Sequence, residues 1–320
     1  METQERAKAG ALDFLWLELT NKCPLRCRHC YADAGPTHNL HESMQVNDWE
    51  RIIDDAYALG CRSLQFIGGE PAMCPELPQL ISRADTLGFT FIEMFTTGFN
   101  LRDGLKQVLI RHRVHLAFSV YSHRPEVHDQ ITNLAGSHAT TLEVIRWALE
   151  HKLPVRAAII EMVANNGDTE ETKSMLQALG VENIGVDRER GVGRGVTSHV
   201  SDDPMDELCG KCWKGRLCVT PSGDAYPCVF SRKWSVGKAS DGLRNILNGM
   251  ELTEFRSALR EKRERVLETV NVCVPQCGPD CTPACIPSPG ISQEYYMVSD
   301  STCTPQCGPD CTPACIPSPG

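Results

Sequence analysis

The segment NKCPLRCRHCY, residues 21–31, spaces three cysteines as Cys-x3-Cys-x2-Cys, namely Cys23, Cys27 and Cys30. Three thiolates this close together can ligate three irons of a [4Fe–4S] cluster, because thiolates are its usual protein ligands. The fourth iron then has no protein ligand in the segment, so it can chelate a small molecule and pass an electron into it. A zinc knuckle that lacks one ligand is the alternative, but structural zinc prefers four protein ligands. The spacing therefore favours a cluster with one open iron.

A second motif, FIGGEP at residues 66–71, directly follows an apolar run that predicts a strand. Its glycines, Gly68 and Gly69, let the backbone approach a ligand closely. The carboxylate of Glu70 can accept hydrogen bonds from an ammonium group. Taken alone the motif could be an ordinary turn that ends at Pro71. Its place after a strand, downstream of the cysteine triplet, favours a ligand-binding loop.

These two motifs resemble those of the radical S-adenosylmethionine (radical SAM) enzymes. The resemblance implies that the open iron binds the amino and carboxylate groups of SAM. It also implies that Gly68, Gly69, Glu70 and Pro71 hold the methionine amino group. The reaction implied is reductive cleavage of SAM to methionine and a 5′-deoxyadenosyl radical, which abstracts hydrogen from the substrate. A reductant such as flavodoxin or ferredoxin would supply the electron.

Further SAM contacts are expected from polar residues at predicted strand ends, namely Thr96, Thr97, Ser119 and Asn165. The two threonines could hydrogen-bond the ribose or the carboxylate. Ser119 stands where related enzymes read Ser-Leu-Asp-Gly, although Tyr121 occupies the position of the aspartate. Asn165 follows the fifth predicted strand, where related enzymes often carry a polar SAM contact. A capping or turn role is the alternative for an isolated Ser or Asn.

The fold prediction comes from strands that alternate with amphipathic helical stretches between about residue 12 and residue 186. The predicted strands are Phe14–Leu19, Leu64–Ile67, Phe91–Phe95, His115–Val120, Val155–Ile160 and Asn183–Val186. The predicted helices are Asp48–Leu59, Glu76–Leu87, Leu101–Ile110, Thr140–Glu150 and Thr169–Leu179, with a later one over Asp241–Val270. Such alternation predicts an α/β fold of parallel strands joined by right-handed crossovers. Six units make a partial (β/α)6 TIM-like barrel, which the resemblance also implies, with the motifs at the ligand-facing ends of the strands.

A second group of cysteines follows the predicted barrel: Cys209, Cys212, Cys218 and Cys228. Together with Gly223, which would allow a tight hairpin, this group resembles the SPASM or twitch extension of radical SAM enzymes. The resemblance implies one or possibly two auxiliary iron–sulfur clusters, and a four-cysteine zinc ribbon is the alternative. The extension continues in relatives as Cys-x2-Cys-x5-Cys-x3-Cys, whereas this chain has an even spacing through Cys273, Cys277, Cys281 and Cys285. The ligand assignment of these later cysteines is therefore open.

The predicted domains are a radical SAM partial barrel at 1–200, a SPASM/twitch-like domain at 201–290, and a tail at 291–320 that is expected to be disordered. Residues 275–290 recur identically at 305–320. The second copy has three interpretations: a silent duplication, a set of alternative cluster ligands, or an imitation of a cysteine-rich peptide substrate.

Composition narrows the class of protein. The chain has 320 residues, 32 Lys plus Arg against 41 Asp plus Glu, and a formal net charge of −9, which argues against a nucleic-acid binder. The sequence has neither the apolar run of a transmembrane helix nor the layout of a signal peptide, so a cytoplasmic protein without a membrane partner is expected. In a reducing cytosol, the 17 cysteines indicate metal ligation rather than disulfides.

The substrate is predicted only by analogy. SPASM-type relatives often modify ribosomally synthesised peptides by cross-linking, thioether formation or epimerisation, in natural-product biosynthesis. The alternatives are radical dehydrogenation or decarboxylation of a small sugar-like or aminocyclitol metabolite, and a non-enzymatic zinc-stabilised binding protein. Arg188 and Glu189, in the segment RERGVGRG at residues 188–195, are candidate catalytic residues that could bind carboxylates of SAM or substrate. A solvated loop is the alternative for that segment.

Overall fold

The computed structural model describes residues 12–198, 201–208, 212 and 215–270. The described residues fall into two compact units, of which the first ends at Arg256 and the second begins at Ser257. All the strands lie in the first unit. The predicted cluster ligands Cys209, Cys273, Cys277, Cys281 and Cys285, and the repeated segment at 305–320, lie outside the described residues.

The strands form one sheet in the order β6-β5-β4-β3-β2-β1-β7-β8-β9. Their bounds are β1 Phe14–Glu18, β2 Ser63–Ile67, β3 Phe91–Phe95, β4 His115–Ser119, β5 Val155–Glu161, β6 Asn183–Arg188, β7 Arg216–Val219, β8 Asp224–Tyr226 and β9 Gly237–Lys238. Strands β1 to β6 are parallel and adjacent in chain order. Among the described strands β6 pairs with β5 alone, so the six strands stay open at that side. The predicted partial (β/α)6 barrel is confirmed.

Eight α-helices are described, and most of them connect these strands. They are α1 Val46–Ala58, α2 Leu77–Leu87, α3 Asp103–Arg111, α4 Pro125–Thr132, α5 Ser137–Glu150, α6 Thr169–Leu179, α7 Leu243–Leu247 and α8 Met250–Val270. Helix α1 buries one face, through Trp49, Ile52, Ile53 and Ala56. That spacing of three to four residues is the pattern from which the helix was predicted. No helix among the described residues is long and apolar enough to cross a membrane.

Two helix predictions need correction. The stretch Asp241–Val270 is not one helix, because the chain breaks at Asn248 and Gly249 between α7 and α8. Asparagine and glycine have low helix propensity, which explains the break. Helix α4 was not predicted at all, since its eight residues are too short to show a clear hydrophobic period.

The seventh strand adds to the same sheet as the barrel. Strand β7 pairs with β1 in parallel, with Phe14 opposite Arg216 and Leu17 opposite Val219. Strands β8 and β9 then continue the sheet as antiparallel neighbours. The boundary at residue 200 stays a prediction, but part of the segment assigned to the second domain continues the barrel sheet by strand pairing.

A polar cluster lies within the sheet, where most side chains are apolar. Glu93 on β3 is buried and receives two hydrogen bonds from Arg156 on β5, each at 2.8 Å. Gln65, opposite Glu93 on β2, donates a further bond to the same carboxylate. An exposed pair of the same fork geometry, Arg83 with Asp54, joins α2 to α1 at 2.8 and 2.6 Å.

These two ion pairs allow a matched comparison of stability. Glu93→Ala should lower the free energy of unfolding by about 2–4 kcal/mol, because it leaves a partly buried guanidinium without its partner. Asp54→Ala should cost less than about 1 kcal/mol, because both of its groups are in water. Chemical denaturation followed by circular dichroism measures both losses. Equal losses would contradict the assignment of Glu93–Arg156 as a buried pair.

Candidate functional site

Three loops meet at one edge of the sheet because each follows the carboxyl end of a parallel strand. The cysteine triplet lies in the loop between β1 and α1, residues 68–71 follow β2, and Thr96 and Thr97 follow β3. The sequence predicted that these motifs share the ligand-facing edge, and the strand order confirms it.

The glycine motif contacts the cysteine loop backbone to backbone. The N–H of Gly69 donates to Thr20 O at 2.6 Å, and the N–H of Glu70 donates to Lys22 O at 2.8 Å. A Cβ at Gly69 would lie 2.3 Å from Lys22 O, and one at Gly68, where φ is +137°, would lie 2.4 Å from Thr20 O. Only glycine fits such a contact. Both glycines therefore fix the backbone that leads directly into Cys23.

The carboxylate of Glu70 joins the second loop to the third. It is fully buried, and Oε1 accepts from the Ala72 N–H at 3.0 Å and from the Thr96 hydroxyl at 2.8 Å. Oε2 accepts from both the N–H, at 2.7 Å, and the hydroxyl of Thr97. Burial raises the pKa of Glu70, while the hydrogen bonds from Thr97, Ala72 and Thr96 lower it. The two threonines thus bind Glu70 first, and their contact with SAM stays a prediction.

The polar residues predicted after β4 and β5 also bind one another. Asn165 is buried, donates to Tyr121 O at 2.7 Å and to Ile160 O at 2.8 Å, and accepts from the Met162 N–H at 2.8 Å. The Tyr121 hydroxyl hydrogen-bonds with the side chains of Ser119 and Cys27. Ser119 and Asn165 therefore position Tyr121 against a cluster ligand. Their direct contact with SAM stays a prediction.

The three cysteines lie together in apolar surroundings. Cys23 is buried with Leu25 and Ala34, and Cys27, Cys30, Phe99 and Leu134 pack against that group. Burial raises the pKa of all three thiols, that of Cys27 to about 12. Bound iron would reverse this, because a coordinating thiol is deprotonated by the metal.

The donor set fits an iron–sulfur cluster better than a single zinc ion. Within residues 12–198, 201–208, 212 and 215–270, no three His, Cys, Asp or Glu side chains converge as ligands of one metal ion. A zinc site requires such convergence. A [4Fe–4S] cluster takes each thiolate on a different iron, so its ligands stand farther apart.

The candidate catalytic residues Arg188 and Glu189 make local contacts. Arg188 Nη1 pairs with Glu207 Oε2 at 3.1 Å, and Nη2 donates to Asp206 O at 2.8 Å. The Glu189 carboxylate accepts from the Ser198 hydroxyl. These contacts tie the loop after β6 to the 3-10 turn Pro204–Glu207. A catalytic role for the two residues stays a prediction.

The auxiliary-cluster candidates that the structure describes are buried. Cys212 Sγ lies 3.0 Å from Cys228 Sγ, well beyond the ~2.05 Å of a disulfide. Cys218 lies on β7, and the predicted hairpin between β7 and β8 is confirmed, with Gly223 at φ +81° in its turn. These three thiols are thus placed on or beside one hairpin.

Sequence reasoning missed a buried ion pair between the two cysteine regions. Glu18, at the end of β1, is 1% exposed and pairs with Arg232, and its side chain also hydrogen-bonds with Cys218. The guanidinium of Arg232 lies 5.5 Å from the ring centre of Tyr31, the residue that follows Cys30. A lone carboxylate inside the apolar run FLWLEL was the available signal, since buried charges are paired.

Gly69→Ala should damage the site and the fold together. The added methyl cannot fit against Lys22 O, so we expect a loss of about 1–3 kcal/mol in the free energy of unfolding and reduced iron after anaerobic reconstitution. Gly104→Ala is the control, because a Cβ there meets nothing within 4 Å. Alanine in that helix should stabilise by up to about 1 kcal/mol. Equal iron contents in the two variants would contradict the proposed role of the close contact.

Comparison with known proteins agrees with this geometry. The family model of the radical SAM superfamily matches residues 17–179, which is half of the chain. The model of the SPASM iron–sulfur cluster-binding domain matches residues 209–282.

Several curated relatives share both regions at modest identity. The PqqA peptide cyclase of Streptomyces rochei is 26% identical over 281 residues, which cover 75% of this chain and 75% of the relative. The antilisterial bacteriocin subtilosin biosynthesis protein AlbA of Bacillus subtilis (strain 168) is 23% identical over 265 residues, which cover 72% of this chain and 58% of AlbA.

Solved structures support the fold. SuiB of Streptococcus suis bound to S-adenosylmethionine aligns with a TM-score of 0.66 at 13% identity, over 78% of this chain and 68% of SuiB. The enzyme anSMEcpe with bound AdoMet aligns with a TM-score of 0.61 at 15% identity, over 80% of this chain and 86% of anSMEcpe. The family match, the cysteine spacing and the parallel sheet agree, and they favour an enzyme over a zinc-stabilised binding protein. The chain belongs to the radical SAM superfamily, and is an enzyme with a [4Fe–4S] cluster and SAM in its barrel followed by an iron–sulfur SPASM domain.

Proposed function

We propose that this enzyme modifies a ribosomally synthesised peptide, by a cross-link, a thioether bond or an epimerisation, in natural-product biosynthesis. The observation that carries the proposal is the pairing of β7 with β1, which brings Cys218 beside Glu18 in the sheet that also ends in the cysteine triplet. Two redox sites on one sheet suit a reaction in which a substrate radical is formed and then oxidised. The names of the PqqA peptide cyclase and AlbA relatives, and the SuiB structure bound to its precursor peptide SuiA, support a peptide as substrate.

When bound, the cluster and SAM supply a 5′-deoxyadenosyl radical that abstracts hydrogen, and an auxiliary iron–sulfur cluster supplies an electron acceptor. Cys23, Cys27 and Cys30 would hold the first cluster, and Cys212, Cys218 and Cys228 are placed to contribute to an auxiliary one. The number of auxiliary clusters, one or two, depends on cysteines outside the described residues. A flavodoxin or ferredoxin is the proposed reductant.

The protein's own residues prepare this site before any ligand arrives. Gly68 and Gly69 fix the backbone next to Cys23, and Glu70 ties the loop after β2 to the loop after β3. Apolar side chains such as Phe99 and Leu134 pack around the thiols and limit the access of water. Limiting water protects reactive intermediates from side reactions. These contacts account for positioning and exclusion of water, while the cofactor accounts for the radical.

The proposal is tested with the full chain reconstituted anaerobically, reduced and mixed with SAM and candidate peptides encoded beside its gene. Release of 5′-deoxyadenosine together with a mass change in one peptide is the expected result. A Cys30→Ala variant should give neither. Release with no peptide change, and consumption of a sugar-like or aminocyclitol metabolite instead, would replace the peptide by a small molecule. Bound zinc with no SAM cleavage would overturn the radical reaction itself.

The role of the second cysteine group gives a separate prediction. Cys218→Ala should remove about four irons per chain, the content of one [4Fe–4S] cluster, while SAM cleavage continues and product formation stops. Cys74→Ala is the matched control, because Cys74 is also buried but bonds only with Glu76 among the printed side-chain partners. Iron analysis and quantification of 5′-deoxyadenosine separate the two outcomes. An unchanged iron content in Cys218→Ala would remove this cysteine from the ligand set.

A further inference from the structure

Among the arginines of the loop after β6, Arg194 makes a multipoint contact with the cysteine loop. Its guanidinium donates from Nε to Cys27 O at 2.8 Å, from Nη2 to Ala34 O at 2.8 Å and from Nη1 to Asp33 Oδ1 at 2.7 Å. Its backbone N–H donates to Cys30 O at 3.0 Å. One residue thus binds the carbonyls of two cluster cysteines and the end of the loop that holds them.

The backbone on either side of Arg194 is shaped for this contact. A Cβ at Gly193, where φ is +59°, would lie 2.4 Å from Cys30 O, and one at Gly195 would lie 2.1 Å from Arg190 O. The neighbouring arginines turn elsewhere, since Arg188 pairs with Glu207 and Arg190 pairs with Asp187. The glycines allow the two loops to touch, and Arg194 makes the contact specific.

The contact joins the two ends of the open barrel. Arg194 follows β6, the last parallel strand, whereas the cysteine loop follows β1. Between these strands the structure shows no ladder in the described residues, so the sheet itself does not fix the distance between the loops. The fork of Arg194 does so instead, with donors in a rigid plane that lysine lacks.

The guanidinium also places a permanent positive charge beside the thiolate ligands. Burial raises the pKa of Cys27 and of Cys30, and the charge of Arg194 is the largest opposing influence on both. Reduction adds one negative charge to a site that already holds thiolates. A neighbouring cation and hydrogen bonding around a cluster both change its reduction potential.

We propose that Arg194 is a positioning residue for the [4Fe–4S] cluster, which holds the Cys27–Ala34 loop in its ligating conformation and favours the reduced state by its charge. The proposal does not depend on which substrate the enzyme modifies. It separates two effects, because lysine keeps the charge but not the three-point fork, whereas glutamine loses the charge.

The test compares Arg194→Lys and Arg194→Gln with the unchanged full chain after anaerobic reconstitution. Iron per chain is measured, and the potential is followed through the EPR signal that changes when SAM is added, which reports the open cluster and not an auxiliary one. Arg194→Gln should shift one-electron reduction at least tenfold toward the oxidised form, or about 60 mV. Arg194→Lys should keep the potential but retain less iron, because a single ammonium cannot bind three acceptors at once.

The matched control is Arg83→Gln, which removes an arginine–carboxylate fork of similar geometry on the surface of α2. Iron content and potential in Arg194→Gln equal to those in Arg83→Gln would overturn the proposal. Should Arg194→Gln fail to fold, Arg194→Lys decides. Full iron content with an unchanged SAM-dependent EPR signal would then overturn it, and lower iron in a folded protein would support it.

Discussion

The close contact between the loops after β1 and β2 is the constraint on which the site depends. Thr20 O and Lys22 O accept hydrogen bonds from the backbone of Gly69 and Glu70, at distances that leave no room for a side chain. Because the two loops follow neighbouring parallel strands, this contact transfers the register of the sheet to the backbone that enters Cys23. The cysteine triplet is therefore held by the fold before it holds anything itself.

Polar residues around this contact bind one another as well as offering groups to a ligand. Glu70 receives four donors from two loops, and Asn165 uses both ends of its amide on backbone groups. Such side chains lose little further freedom when a ligand arrives, which is the usual advantage of a preorganised site. A polar residue at a strand end can thus serve a site by positioning its neighbours, as Asn165 does for Tyr121.

Strand β7 gives the second cysteine group a fixed relation to the first. Its pairing with β1 places Cys218 next to Glu18, and Arg232 neutralises that buried carboxylate while lying near Tyr31. A buried charge without a partner would be costly, so the pair keeps Glu18 in place. The residues between the two cysteine regions are packed and paired instead of forming a flexible linker.

Sequence alone determined the partial barrel, the cysteine triplet, the glycine motif and the hairpin at Gly223. Each depends on local information: hydrophobic periods within single elements, short spacings, or a glycine in a tight turn. Sequence did not predict that β7 joins β1, that Glu18 finds Arg232, or that Arg194 reaches the cysteine loop. Those partners lie far apart in the chain, with 161 residues between Arg194 and Asp33. No local pattern records which distant groups the crossovers of a parallel sheet bring together, so only the tertiary structure decided them.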